Sequence, residues 1–242
     1  MQDIEKDLAL QQEKLRQWVE IPDGKEGYCP VKGDKILALD IQYTEDFAHI
    51  GGDFFEWQGK SIGTFAGVVR ASVPYIPSYF CFREGPPLLS FIEYLQKQLS
   101  IVPQLIIIDG HGIAHPRKLG VACWIGIATK IPTLGCAKDT LVHYQGELGE
   151  AKGSRVPVLV DSNLVGYVLR TQDGIKPLFV SPGHLVSLET SVEIVLSLPG
   201  EYRIPDPLRN ADQAARHHAK KSQEFPYQDI GEIGEVKPFF YI

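Results

Sequence analysis

The chain has 242 residues, 44% of them hydrophobic and 22% charged, a composition that excludes disordered and fibrous classes and supplies ample core material. Lys and Arg number 24 against 30 Asp and Glu, for a net charge of −6, but the acids gather at the two ends and residues 31–221 balance at 19 of each sign. A neutral body leaves room for a local basic groove, so nucleic-acid binding stays open.

In residues 1–21, Ile4, Leu8, Leu15, Trp18 and Val19 fall near one helical face among Glu, Lys and Gln, which predicts an amphipathic helix ending before Pro22. A turn-rich stretch follows to Gly33. Segments 35–43, about 47–57 and about 62–73, separated by Gly51-Gly52 and Gly59, predict three sequential strands in antiparallel hairpins. Apolar spacing from Pro86 to Leu99 predicts a helix, and the all-apolar run Leu105 to Ile108 predicts a strand buried on both faces.

A helix is expected from about Pro116 to Thr129, since proline suits a first turn, then a strand at 133–136. A hairpin from 156–160 and 165–170 follows, and helices at 185–198 and 208–220 close the body. The order predicts an α/β fold whose mixed sheet has three antiparallel strands, then parallel strands, flanked by helices. One domain over 1–242 is expected, with the helix 1–21 and the tail 222–242 as appendages; Phe239, Phe240 and Tyr241 predict that the tail docks.

No stretch reaches the ~18 to 20 apolar residues of a membrane span and the N-terminus is charged, so a cytoplasmic protein with no membrane partner is expected. A monomer is the separate expectation for its assembly. Cys29, Cys81, Cys123 and Cys136 form no C-x-x-C pair and read as inert thiols.

Several short motifs fail on context. Gly59-Lys-Ser-Ile-Gly63 matches a serine-hydrolase pattern, yet both flanks read as strands rather than a strand-turn-helix elbow. A phosphate loop would need glycine at position 54, which is Phe, and a dinucleotide loop starting at Gly110 would need glycine at His115. His111 and His115 have Gly112 between them and Pro116 after them, which argues against zinc on a helix. His217-His218 reads as a solvated pair.

The informative residues are acids that end apolar strands. Asp40 follows Ile36 to Leu39 and Asp109 follows Leu105 to Ile108, and an ionised carboxylate in a buried strand is costly unless it is paired or holds a metal. Should the first strand lie beside the fourth, both acids emerge at neighbouring points on one edge of the sheet. That layout suits the hard oxygen ligands of Mg²⁺ or Mn²⁺ and is the ribonuclease H-like architecture. Glu84 and Asp212 are candidate further ligands.

The chain resembles the endonuclease V family of inosine-directed nucleases, which has a ribonuclease H-like fold. The resemblance is carried by Leu39-Asp-Ile-Gln-Tyr43, Pro74-Tyr-Ile-Pro77, Phe82-Arg-Glu84, Asp109-Gly-His-Gly-Ile-Ala-His-Pro-Arg-Lys-Leu-Gly120, Leu134-Gly-Cys-Ala-Lys138, Ser181-Pro-Gly-His184 and Pro205-Asp-Pro-Leu-Arg-Asn-Ala-Asp212. It implies that Asp40, Glu84 and Asp109 hold the catalytic metals, Mg²⁺ with Mn²⁺ as a substitute, and that Asp212 completes the cluster. Pro74, Tyr75, Ile76 and Pro77 would form a wedge beside the lesion, and Gly110, Gly112 and Gly120 a pocket for a flipped hypoxanthine. Lys138 and His115 would lie near the phosphate.

The implied reaction is hydrolysis of the second phosphodiester 3′ to deoxyinosine or inosine in DNA or RNA, leaving a 3′-hydroxyl and a 5′-phosphate. Family members usually carry a small residue two after the first metal Asp, whereas this chain has Gln42, on the strand face of Asp40, where a bulkier amide is expected to crowd the metal or the substrate. Two other readings are an inosine-binding protein with weak or no cleavage and a ribonuclease H-like nuclease for other DNA structures. Arg203, Arg209, Arg216, Lys220 and Lys221 against Asp206 and Asp212 leave a local +3, an expected grip on the nucleic-acid backbone.

Overall fold

Alternation along the central strands sends successive side chains to opposite faces of one sheet, and in this chain both faces are covered. The computed structural model describes residues 2–71, 76–220 and 226–234, with residues 2–4 described in backbone alone. Its elements are α1 (Gln2–Arg16), β1 (Lys35–Tyr43), β2 (Phe47–Glu56), β3 (Ser61–Arg70), α2 (Phe80–Leu99), β4 (Leu105–Ile108), α3 (Val121–Thr129), β5 (Thr133–Ala137), β6 (Arg155–Val160), β7 (Asn163–Leu169), β8 (Leu178–His184), α4 (Leu188–Ser197), α5 (Asp206–Lys220) and β9 (Gln228–Glu232).

The sheet order is β6-β7-β8-β5-β4-β1-β2-β3-β9, with β1, β2 and β3 antiparallel and β4 parallel to both β1 and β5. Leu37, Leu39, Ile106 and Ile108 pack on one side with Phe91 and Ile92 of α2 and Trp124 of α3. Ile36, Ala38, Leu105 and Ile107 pack on the other with Val192 and Val195 of α4 and Leu208 of α5. The same alternation turns Asp40 and Asp109 toward α5. Among the described residues no helix is long and apolar enough to cross a membrane.

Several boundaries differ from expectation, each for a local reason. The first helix ends at Arg16, so Trp18 lies beyond it and is 68% exposed. Helix α2 starts at Phe80 rather than Pro86, which carries Pro86 and Pro87 inside it. Pro87 has no N–H for the Arg83 carbonyl one turn back, and the Tyr43 hydroxyl donates to that carbonyl instead, at 3.1 Å. Helix α3 starts at Val121 because residues 115–120 form turns, Lys118 has a positive φ, and the His111 carbonyl accepts from the Ala122 amide in the first turn. Helix α4 starts at Leu188, since Leu185 has a positive φ and Ser187 caps the helix by accepting from the Thr190 amide.

Two strands went unpredicted. β8 is buried throughout and antiparallel to both β5 and β7, although it contains Pro182-Gly183; the register with β5 shifts at that point, and the bulge accommodates a residue that cannot donate to the ladder. β9 docks the tail parallel to β3. Phe239, Phe240 and Tyr241, offered as the docking residues, lie outside the described residues, as do Pro74, Tyr75 and Lys221.

Candidate active site

β1 and β4 run in parallel with Leu39 opposite Ile108, and the Asp109 amide donates to the Leu39 carbonyl at 2.9 Å, so Asp40 and Asp109 leave the sheet side by side. Helix α5 crosses the same face closely. Gly51, which pairs with Asp40 across β1 and β2, lies where an added Cβ would come 2.0 Å from the Ala211 carbonyl oxygen and 2.7 Å from the Ala215 nitrogen. Only the absence of a side chain at Gly51 lets α5 approach close enough to bring Asp212 to the two acids.

Lys138, just past β5, sits among them. Its Nζ is 2.5 Å from Asp109 Oδ2, 3.6 Å from Asp212 Oδ1 and 3.8 Å from Asp40 Oδ2. Arg203 holds the Lys138 backbone by donating from its guanidinium to the Lys138 carbonyl. Burial alone would lower the lysine's pKa, but Asp109, Asp40 and Asp212 outweigh it and keep the ammonium charged. Asp212 is held on both oxygens, by Gln42 Nε2 at 3.3 Å and Arg216 Nε at 2.8 Å. Gln42, expected to crowd the metal or the substrate, instead makes a contact that orients the fourth acid. Burial pushes Asp212 up, but Arg216, a hydrogen bond with the Asp40 carboxyl, and Lys138 prevail and hold its carboxyl below the usual range.

The other three acids go the opposite way. Asp40 is 5% exposed, its Oδ2 has no hydrogen-bond donor among the described residues, and burial with the nearby Asp109 charge drives its pKa well above normal. Burial raises Asp109 as well, against the pull of Lys138. Glu84, in the second turn of α2, is pushed up to about 8 by burial and by Asp109. An all-oxygen set of acids that resist ionising together, with one buried oxygen lacking a donor, fits a hard divalent cation. Among the described residues no three acids are already drawn to ligating distance about one point, and Lys138 is the cation the cluster holds.

The Glu84 shift has a sign that can be tested. With divalent ions chelated, the folded chain keeps a proton on Glu84 between about 4.5 and 8 that the unfolded chain has released, so this group's contribution to stability falls as pH rises through that window. The expected result is that Glu84→Gln lacks this loss. Melting temperatures in chelator, wild type minus variant, should become steadily lower from pH 5 to pH 8; a constant difference would refute the shift.

Beside Asp109 and Glu84 opens a cavity of about 200 Å³ lined by Phe80, Cys81, Gly110, His111, Gly120, Val121 and Leu141 among others. Of the three glycines assigned to a base pocket, Gly110 and Gly120 line this cavity, but Gly112 does not appear in its wall. Its missing Cβ points 2.0 Å from the Pro182 carbonyl oxygen, and its amide donates to Ser181 Oγ at 2.9 Å. A Cβ on Gly120 would likewise meet the His111 carbonyl oxygen at 2.1 Å. These glycines serve close packing of the 110–120 loop on itself and on β8, which gives the Ser181-Pro182-Gly183 segment a structural purpose.

His115 also lines the cavity but is 3% exposed, with Nδ1 accepting from the Arg117 amide and Nε2 at 3.1 Å from the Ser78 carbonyl oxygen. Both ring nitrogens are used inside the protein, and burial lowers its pKa to about 4, so a neutral ring supports the loop where a phosphate contact was expected. Burial lowers His111 to about 4 as well, and its Nδ1 has no hydrogen-bond partner among the described residues. The expected basic grip is largely committed elsewhere. Arg203 holds the Pro177 and Lys138 carbonyls, Arg209 stacks on Tyr202 at 3.7 Å, and Arg216 pairs with Asp212. Of the wedge, Ile76 and Pro77 lie at the surface just before Ser78.

A family model described as endonuclease V matches residues 31–213, about three quarters of the chain. The chain belongs to the endonuclease V family. An endonuclease V from Geotalea uraniireducens is 42% identical over 219 residues, 89% of each chain. Other curated relatives at 43% identity align over 64% and 66% of their own length, so the chain spans just under two thirds of them. The crystal structure of endonuclease V from Streptomyces avermitilis superposes with a TM-score of 0.79 at 33% identity, covering 90% of this chain and 93% of that one. Endonuclease V from Ciona intestinalis, solved with a 24mer DNA containing an inosine followed by a ribo-adenosine, superposes with a TM-score of 0.78 at 26% identity, covering 91% of this chain and 99% of that one.

The fold is thus the ribonuclease H-like fold of endonuclease V. The structure brings the candidate acids Asp40, Asp109 and Asp212 together around Lys138, with Glu84 beside Asp109, and adds contacts the sequence did not announce: Arg216 and Gln42 on Asp212, Arg203 on Lys138, and Tyr43 on the Arg83 carbonyl next to Glu84. The i,i+4 spacing of Asp212 and Arg216 on one helix was a usable signal for the first. The rest depend on tertiary contacts.

Proposed function

We propose that this chain is a metal-dependent endonuclease that selects deoxyinosine or inosine in a nucleic-acid strand and hydrolyses a phosphodiester on its 3′ side. By the family resemblance the bond is the second one, and the products carry a 3′-hydroxyl and a 5′-phosphate. The observation that carries the reading is the pairing of Asp40 and Asp109 on adjacent parallel strands, with Asp109 and Glu84 lining a pocket of about 200 Å³. The inosine-containing DNA bound by the Ciona relative supports it. Three buried, unpaired cysteines suit a reducing, cytoplasmic setting.

Asp40, Glu84 and Asp109, with Asp212, would hold the divalent cation, with Mg²⁺ the ion and Mn²⁺ the substitute. Such an ion supplies Lewis acidity, activating the attacking water and stabilising the departing 3′ oxygen. Lys138 offers charge-assisted donors next to the acids, where a phosphate oxygen would lie. Phe80, Val121 and Leu141 exclude water from the base. His111, neutral at physiological pH, and the backbone of the 110–120 loop supply the polar groups that read it. Hypoxanthine carries a carbonyl where adenine has an amine, so a donor aimed at that position rejects adenine with an unpaired contact.

The test incubates the protein with matched DNA and RNA oligonucleotides, each with and without a single inosine, in Mg²⁺ or in chelator, and maps the cut. Metal-dependent nicking of the inosine strand alone, one nucleotide beyond the inosine, is expected. The better substrate distinguishes DNA repair from turnover of inosine-containing RNA. Tight inosine-dependent binding without nicking would replace this reading with that of a binding protein, and cleavage indifferent to inosine with that of a nuclease for another DNA feature.

A further inference from the structure

Helix α1 lies outside the region matched by the family model, yet it sends one fully buried polar side chain into the body, Gln12. Gln12 Nε2 approaches the Ser78 carbonyl oxygen at 3.3 Å, Cys81 Sγ at 3.3 Å and the Leu119 carbonyl oxygen at 3.4 Å. Its Oε1 accepts from Arg117 Nε. Arg117 in turn donates from Nη2 to the same Ser78 carbonyl at 2.8 Å, stacks on the Tyr79 ring at 4.3 Å, and has His115 Nε2 beside it, 3.1 Å from that oxygen.

One carbonyl thus receives donors from three side chains and from two distant parts of the sequence. Ser78 has φ of +68°, a left-handed backbone that a residue with a Cβ seldom adopts and that persists where its surroundings over-determine it. Helix α2 starts just beyond Ser78. Phe80 and Cys81 there line the cavity, and Glu84 is one turn further on. On the other side of the clamp, residues 115–120 complete the opposite wall.

We propose that Gln12 is a positioning residue for base selection: together with Arg117 and His115 it clamps the Ser78 carbonyl and sets the start of α2 against the 110–120 loop, fixing the width of the pocket. The proposal rests on reading that cavity as the base pocket. Glutamine suits the place because it accepts from Arg117 with one end and donates to Ser78 with the other. Glutamate keeps only the first contact, and alanine keeps neither.

The experiment compares wild type with Gln12→Ala, Arg117→Ala and the double variant. For each, kcat and KM are measured on an inosine strand and on the same strand with adenosine, and amide hydrogen exchange is followed at residues 78–84. The expected result for Gln12→Ala is a loss of about tenfold in inosine selectivity, carried mainly by KM, with faster exchange at 78–84. The double variant should be no worse than the worse single one, as groups of one clamp are not additive. Unchanged selectivity and exchange in folded Gln12→Ala would overturn the proposal. Should Gln12→Ala fail to fold, Gln12→Glu takes its place with the same expectations. Should wild type show no inosine preference, the proposed function fails, and exchange alone decides the clamp: faster exchange in the variant supports it and unchanged exchange overturns it.

Discussion

Asp109→Asn should lower cleavage of an inosine strand by about a thousandfold or more, equivalent to a barrier about 4 kcal/mol higher. The amide keeps the shape of the side chain but removes the charge that Lys138 pairs with and that a divalent cation would need. The same change should raise the melting temperature in chelator. Burial disfavours an ionised Asp109 in spite of Lys138, and its charge also drives up Asp40 and Glu84, so its removal relieves all three. Activity and stability moving in opposite directions is the signature of a functional site, and a parallel loss of both would mark Asp109 as structural instead. Single-turnover cleavage with a thermal melt decides between them.

Gly51→Ala should cost about 3 kcal/mol of stability or more, at the upper end for an overpacked core. The added methyl would stand 2.0 Å from the Ala211 carbonyl oxygen, a backbone atom of α5 that can yield only if the helix moves. For a chain of this size that corresponds to a fall in melting temperature of roughly 6 to 12 °C. Because Asp212 rides on α5, activity should fall further than stability explains at a temperature where the variant remains folded. A melting temperature unchanged from wild type would mean that the helix and sheet have more play than the packing of Gly51 on Ala211 and Ala215 allows.

The acids were legible because of where they stand. An all-apolar run that ends in Asp is rare enough to notice twice, and the parallel pairing of the two runs follows from the order of elements. Glu84 was legible as a residue but not as part of a helix, since Pro86-Pro87 reads as a helix start and the hydroxyl that replaces a missing amide comes from Tyr43, on another element. β8 was hidden for a similar reason: Pro182-Gly183 reads as a turn, and only the pairing with β5 reveals a bulge. Gln12, His115 and Arg203 were illegible in the contacts they make. Each acts on a carbonyl far away in sequence, and nothing in the spacing of residues announces such a contact.

The four acids come from β1, α2, the end of β4 and α5, so the cluster is spread over most of the chain. A ribosome delivers them in that order, and Asp212 emerges only after β8. Any fragment that stops short of α5 therefore lacks Asp212, and the set of four is complete only in a chain that reaches that helix.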